Sequence, residues 1–166
     1  MAILPMRKRF KWKDCQQIIN NIAGQIVKAN VKYDCVISVN RGGLIIGTAL
    51  SYLFNIPHGV ISVQYKEKFG RAVDTELSPE LQMNIDDHIS INANLMKMKK
   101  VLLFDDSCDT GYLMTHTVNF VKSKLPNIDK LDVAVIVLHK QSDYIPTYYY
   151  EKMNGTQLFG FDWEQY

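Results

Sequence analysis

Val101–Met114 reads VLLFDDSCDTGYLM. An apolar run, Val101 to Phe104, ends in two adjacent carboxylates, Asp105 and Asp106, and Asp109-Thr110-Gly111 follows within a few residues. The run has the length and composition of a buried strand, and Thr110 onward has the pattern of a helix stopped by Pro126. In open α/β sheets a ligand lies beyond the carboxyl ends of the strands, where this stretch puts its carboxylates. A helix start also presents unpaired N–H groups and partial positive charge, so Ser107 to Gly111 suits a phosphate. Gly111 allows close approach of the backbone, and the Ser107 and Thr110 hydroxyls add donors. A carboxylate pair beside a phosphate cradle fits a ligand with phosphate at one end and hydroxyls, or a hydroxyl-bound Mg²⁺, at the other, as in a ribose 5-phosphate. The plainer alternative, a helix N-capped by Asp109, accounts for that residue and leaves Asp105 and Asp106 without a reason.

Outward from this stretch the chain alternates strand and helix. Lys13–Ala29 spaces Ile18, Ile19, Ile22, Ile26 and Val27 as one face of a helix. Tyr33–Val39 is β-branched and reads as a buried strand; Asn40-Arg41-Gly42-Gly43 turns the chain into a second helix, Gly43–Phe54, closed by Asn55-Ile56-Pro57. Gly59–Tyr65 and Leu131–Lys140 read as further strands, and the aromatic tail is strand-prone with a turn at Asn154-Gly155. Residues 66–100 lack a clear period, as a lid or a long hairpin with a strand in Asp87–Ala93 would. The alternation predicts an α/β fold with a parallel sheet flanked by helices, in one domain over residues 1–166.

Composition bounds the function classes. The chain has 166 residues, 47% hydrophobic and 22% charged, with a formal net charge of +2. So small a charge gives no support to a nucleic-acid binder, and the basic Arg7–Lys13 stretch reads as a solvated element start. Arg41 interrupts the longest candidate membrane span, and Met1–Met6 is too short for a signal-peptide core. Three scattered cysteines form neither a zinc pattern nor a disulfide framework, which points to a reducing, cytoplasmic setting. Dinucleotide (G-x-G-x-x-G) and Walker A patterns are absent. Haloacid dehalogenase-type phosphatases need D-x-D, where Ser107 stands here; receiver domains carry their acidic pair near the start of the fold. The four histidines show no ligand spacing, so surface or loop roles are expected for them.

Val101–Gly111 resembles the phosphoribosyl-pyrophosphate motif of type I phosphoribosyltransferases, a hydrophobic strand leading to D-D-x-x-D-T-G. Val36–Pro57 is similar to the segment that carries the pyrophosphate loop of that family, with its R-G-G turn. Val135–Met153 and Leu158–Tyr166 look like the C-terminal region of the 6-oxopurine branch, the xanthine–guanine and hypoxanthine enzymes. The resemblance implies a Mg²⁺-dependent transfer of the phosphoribosyl group from phosphoribosyl pyrophosphate to guanine, xanthine or hypoxanthine, in purine salvage. It implies that Asp105 and Asp106 meet the ribose hydroxyls or their Mg²⁺, and that Ser107, Cys108, Asp109, Thr110 and Gly111 hold the 5-phosphate. Arg41 and Gly42 would approach the pyrophosphate across an unusual peptide geometry. Asp109 would act as general base or acid near purine N7, Lys140 would donate to the exocyclic O6, and Phe159 would meet the base edge. Asp162 or Glu164 would help place a metal or the ring.

The same resemblance implies a lid over about 65–100, a base-recognition hood over about 144–166, and a homodimer or homotetramer. Two departures stand out. Tyr112 and Leu113 occupy positions where relatives place a further phosphate-binding hydroxyl, and Leu158 stands where a stacking tryptophan is common, leaving Phe159, Phe161 or Trp163 to supply an aromatic face. Two other readings remain: a regulator of this fold that senses phosphoribosyl pyrophosphate, and a transferase for another base, with Lys140 structural.

Overall fold

Cys35-Val-Ile-Ser-Val39 and Val101-Leu-Leu-Phe104 bury every side chain, because each lies in a sheet covered on both faces. The structure, a computed structural model, describes residues 8–65, 81–86, 97–154 and 159–164. Its eight strands are β1 (Lys8–Phe10), β2 (Cys35–Asn40), β3 (His58–Tyr65), β4 (Leu81–Asp86), β5 (Lys100–Cys108), β6 (Lys130–His139), β7 (Tyr148–Met153) and β8 (Phe159–Phe161). The helices are α1 (Cys15–Lys28), α2 (Leu44–Phe54) and α3 (Tyr112–Lys124). Six strands form the main sheet in the order β4-β3-β2-β5-β6-β7, all parallel to their neighbours except β4, which runs antiparallel to β3.

Strand periodicity sorts the core. Val36, Leu102, Phe104, Ala134 and Ile136 pack with α1 and α2 on one face. Cys35, Ile37, Val101, Leu103, Val133 and Val135 pack with α3 on the other. The α1 face consists of Ile18, Ile22, Ala23 and Ile26, spaced three and four apart. Each of its isoleucines contributes about 1.5–3 kcal/mol by burial. A 3₁₀ turn, Trp12–Asp14, precedes α1, which is why the helix begins two residues later than its apolar spacing suggests. Helix α2 ends on Asn55 in the left-handed region (φ 52°), whose N–H caps the last turn.

A buried polar cluster fastens the opposite end of the sheet from the carboxyl ends of the strands. The Tyr33 hydroxyl donates to Asp132 and lies 3.0 Å from the Tyr148 hydroxyl. Thr147 donates to Asp132 at 3.2 Å, and Lys130 lies 3.3 Å from the same carboxylate.

Three expectations shift. Strand β5 runs on to Cys108, because Ser107 and Cys108 pair with Val137 and Leu138 of β6; α3 therefore starts at Tyr112, not Thr110. After β3 the returning antiparallel strand is Leu81–Asp86, ahead of the stretch expected to supply it; Asp87–Ala93 and the rest of the expected lid lie outside the described residues. Within 144–166, β7 is the edge strand of the main sheet; the small second sheet joins β8 to β1, so the N-terminal basic stretch contributes a strand to it. That small sheet is aromatic: Phe10 stacks on Phe161 at 5.1 Å and Phe161 on Trp163 at 4.8 Å.

Candidate functional site

The chain leaves β2 toward β3 on one side and leaves β5 toward β6 on the other, so the strand order reverses between β2 and β5. Loops on either side of such a reversal diverge and leave a crevice at the carboxyl ends of the strands. The turn after β2, Asn40 to Gly43, and the end of β5 meet there, since Ser38 pairs with Phe104.

Contact across the crevice is tight. A side chain at Gly42 would place its Cβ 1.7 Å from Asp106 Oδ2, so the Asp106 carboxylate lies directly against the glycine backbone. A Cβ at Gly43 would meet the carbonyl oxygens of Phe104 at 2.6 Å and Val39 at 2.9 Å. The Asn40–Arg41 peptide bond is cis, the unusual geometry expected at this turn. Arg41 itself is exposed. Underneath, Gly47 lets α2 approach β2, where a Cβ would come within 1.9 Å of Ser38 Oγ. Ser38 Oγ lies 2.8 Å from His58 Nε2 and Thr48 Oγ1 lies 3.4 Å from His58 Nδ1, so hydroxyls flank both ring nitrogens. Burial holds this imidazole below its ordinary pKa.

The two carboxylates differ in setting. Asp105 is buried, with Oδ1 accepting from the Asp106 N–H at 2.8 Å, whereas Asp106 is half-buried and accepts from the Ser107 hydroxyl at 3.1 Å. Among the described residues no group of three metal-ligating side chains occurs. Two oxygen-bearing carboxylates at a ligand crevice nonetheless suit Mg²⁺, which takes one or two carboxylates and fills its shell with water and substrate oxygens. Asp162 lies elsewhere in hydrogen-bonding terms: Arg9 Nε donates to its Oδ1 at 2.5 Å, joining β1 to the turn after β8.

The loop between β5 and α3 encloses a pocket of about 260 Å³, lined by Ser107 to Met114. Gly111, not Asp109, occupies the N-cap position, with φ 88°. Only glycine fits there: a Cβ would lie 2.5 Å from the Tyr144 N–H nitrogen and 2.9 Å from Ser142 Oγ. The Asp143 N–H donates to Thr110 O at 2.9 Å, and the Thr110 hydroxyl accepts from the Tyr112 N–H at 3.3 Å. Cys108 joins the loop through its backbone. Its buried thiol lies 3.2 Å from Ser142 Oγ, and burial raises its pKa, the wrong direction for a nucleophilic thiolate. Leu113 is half-buried at the pocket wall, so the hydroxyl missing from the sequence is not restored there.

Asp109, released from capping, is held otherwise. Gln141 Nε2 donates to its Oδ1 at 2.9 Å, and His139 Nδ1 lies 3.9 Å from the same oxygen. The side chain is 62% exposed, leaving Oδ2 accessible. His139 closes β6, is buried, and sets its ring 5.3 Å from that of Phe159. Lys140, between these two residues, is exposed, and its N–H donates to Met153 O at 2.8 Å. Thus β5, α3, β6 and β8 bring Asp109, Lys140 and Phe159 to one end of the sheet. Leu158 lies outside the described residues. His139 and Gln141 were not legible as site residues, because β6 ends at His139 and no local pattern fixes what the turn after it faces.

Similarity to known proteins agrees with this arrangement. No curated protein matches the chain in sequence. Among solved structures, the purine phosphoribosyltransferase of Pyrococcus horikoshii OT3 superposes with a TM-score of 0.73 at 25% identity, over 96% of this chain and 95% of that one. The xanthine–guanine–hypoxanthine phosphoribosyltransferase of Helicobacter pylori gives 0.73 at 15% identity, over 97% and 94%. A Neisseria gonorrhoeae protein solved with bound ppGpp gives 0.75 at 20% identity, over 96% and 90%. The profile described as the phosphoribosyl transferase domain matches residues 10–164, which takes in both crevice loops and β8. A match over that span decides the family: this chain belongs to the phosphoribosyl transferase domain family and has its type I fold.

Proposed function

We propose that the chain transfers the 5-phosphoribosyl group of phosphoribosyl pyrophosphate to a 6-oxopurine, giving a nucleoside monophosphate and pyrophosphate. The observation that carries this reading is the contact of Asp106 with the Gly42 backbone, which sets a carboxylate pair between an arginine-bearing turn and a phosphate-sized loop. In this reading Ser107 to Gly111 hold the 5-phosphate, with Thr110 and Ser107 adding hydroxyl donors to the helix start. Asp105 and Asp106 accept from the ribose hydroxyls and would hold Mg²⁺ together with substrate oxygens. When bound, that ion supplies charge neutralisation at the leaving pyrophosphate.

Displacement at the anomeric carbon builds positive charge on the sugar and negative charge on the leaving group. The carboxylates favour the first, and Arg41 and the Gly42 backbone face the second. Asp109 Oδ2 is accessible to take a proton from purine N7 as N9 bonds to the sugar. The exposed Lys140 side chain donates to O6, and Phe159 borders the base. A homodimer or homotetramer in the cytoplasm completes the proposal; no helix among the described residues is long and apolar enough to cross a membrane.

The test is incubation with phosphoribosyl pyrophosphate, Mg²⁺ and each of guanine, xanthine, hypoxanthine, adenine, uracil and orotate. Turnover of one or more 6-oxopurines is expected. No turnover of any base overturns the enzymatic reading in favour of a sensor of the donor. Turnover of adenine or pyrimidines alone overturns the role of Lys140. Light scattering reads the assembly directly, with a monomer contradicting that part.

A further inference from the structure

His139 is buried to 5% exposure at the carboxyl end of β6, and its Nδ1 has no hydrogen-bond partner among the described residues. A buried ring nitrogen without a hydrogen-bond partner is a cost that folded proteins rarely keep without a use. Asp109 Oδ1 lies 3.9 Å from Nδ1, too long for a hydrogen bond, on a carboxylate whose side chain is exposed. Gln141 Nε2 already donates to that same oxygen, so the end of β6 and the turn after it both face Oδ1. The ring also packs against Phe159 at 5.3 Å, tying the residue that borders the base to the one that would accept its proton.

We propose that His139 is a positioning residue for the transfer reaction: its Nδ1–H donates to Asp109 Oδ1 in the substrate-bound enzyme and holds Oδ2 toward the purine. The inference rests on the reading of Asp109 as the proton acceptor. Bond N9–C1′ forms as C1′–O to pyrophosphate breaks, pyrophosphate leaves with the electron pair, and the N7 proton passes to Oδ2. His139 keeps its own proton throughout. Its contribution is orientation: with Oδ1 engaged from one side, the carboxylate cannot swing toward solvent, as its exposure otherwise allows. Gln141 alone does not supply this, because it is an exposed side chain with several rotamers, whereas the His139 ring is fixed between β6 and β8.

The test compares His139→Phe, which keeps a ring against Phe159 and removes the donor, with His139→Asn, whose amide nitrogen stands near the place of Nδ1. Both are made in the full chain, with Gln141→Ala as a third variant, and kcat and KM are measured for the 6-oxopurine that the wild type uses. His139→Phe should lower kcat about 10- to 100-fold, less than loss of the general base itself, with KM for phosphoribosyl pyrophosphate within about twofold. His139→Asn should recover most of that loss. Thermal unfolding of each variant separates a folding defect from a kinetic one. An unchanged kcat in His139→Phe overturns the inference. So does equal impairment of a folded His139→Asn, or a loss confined to Gln141→Ala. These outcomes leave the transferase reading intact, whereas a wild type that turns over no purine removes both.

Discussion

Asp109 carries the proton transfer in the proposed reaction, and the structure frees it from the capping role that its place before a helix suggests. Gly111 takes the N-cap, and Asp109 is left with one oxygen held by Gln141 and one open. Asp109→Asn should therefore lower kcat about 10²- to 10⁴-fold while KM for the donor stays within a few-fold, measured by steady-state kinetics. Gly42→Ala should act on the other half of the site: its methyl would displace the Asp106 carboxylate, so donor affinity should fall about tenfold or more with the fold kept, read by titration calorimetry. The clustering of Asp105 and Asp106 at the end of an apolar strand stood out in the sequence, since few structural needs place two carboxylates there, whereas Asp109 also read as a helix cap. His139 and Gln141 did not stand out, because both types are common at strand ends, and their meaning comes from a loop 30 residues earlier that only folding brings beside them.

At the scale of elements, β2 and α2 form the platform of the Arg41–Gly42 turn, and Gly47 and His58 hold it. Gly47→Val should lift α2 from β2 and destabilise the protein by about 1–3 kcal/mol, seen as a lower denaturation midpoint. His58 gives the platform a pH dependence. Burial lowers its folded pKa, so the unfolded chain binds the proton more readily. Its contribution to stability is therefore full above the ordinary histidine range and is lost as pH falls through that range toward the lower folded value. Urea denaturation from pH 8 to pH 5 should show this loss in the wild type, and His58→Gln should flatten that part of the curve. Strand and helix identities followed from period and β-branching, but their ends did not. The extension of β5 to Cys108 depends on pairing with Val137 and Leu138, partners that a local pattern does not contain.

For the whole molecule, ligand and fold are linked, because loops from opposite sides of the sheet must stay together for the donor to bind. Phosphoribosyl pyrophosphate with Mg²⁺ at a hundredfold excess over its Kd should stabilise the native state by about 2.7 kcal/mol and raise Tm. Adding a chelator, or making Asp105→Asn with Asp106→Asn, should remove most of that rise in a calorimetric scan; an equal rise in the double variant would contradict their place at the donor. The sequence by itself determined the class of fold and the order of the central elements, and it set the carboxylate-rich motif at the end of a strand, since hydrophobic period and a dense local motif are properties of neighbouring residues. Only the tertiary structure decided that β1 joins β8 and that Gly42 lies on Asp106. The same holds for β6, whose end closes on Asp109 through His139 and Gln141. Those contacts join residues far apart in the chain, and their energies depend on distances that are set only when both faces of the sheet are buried.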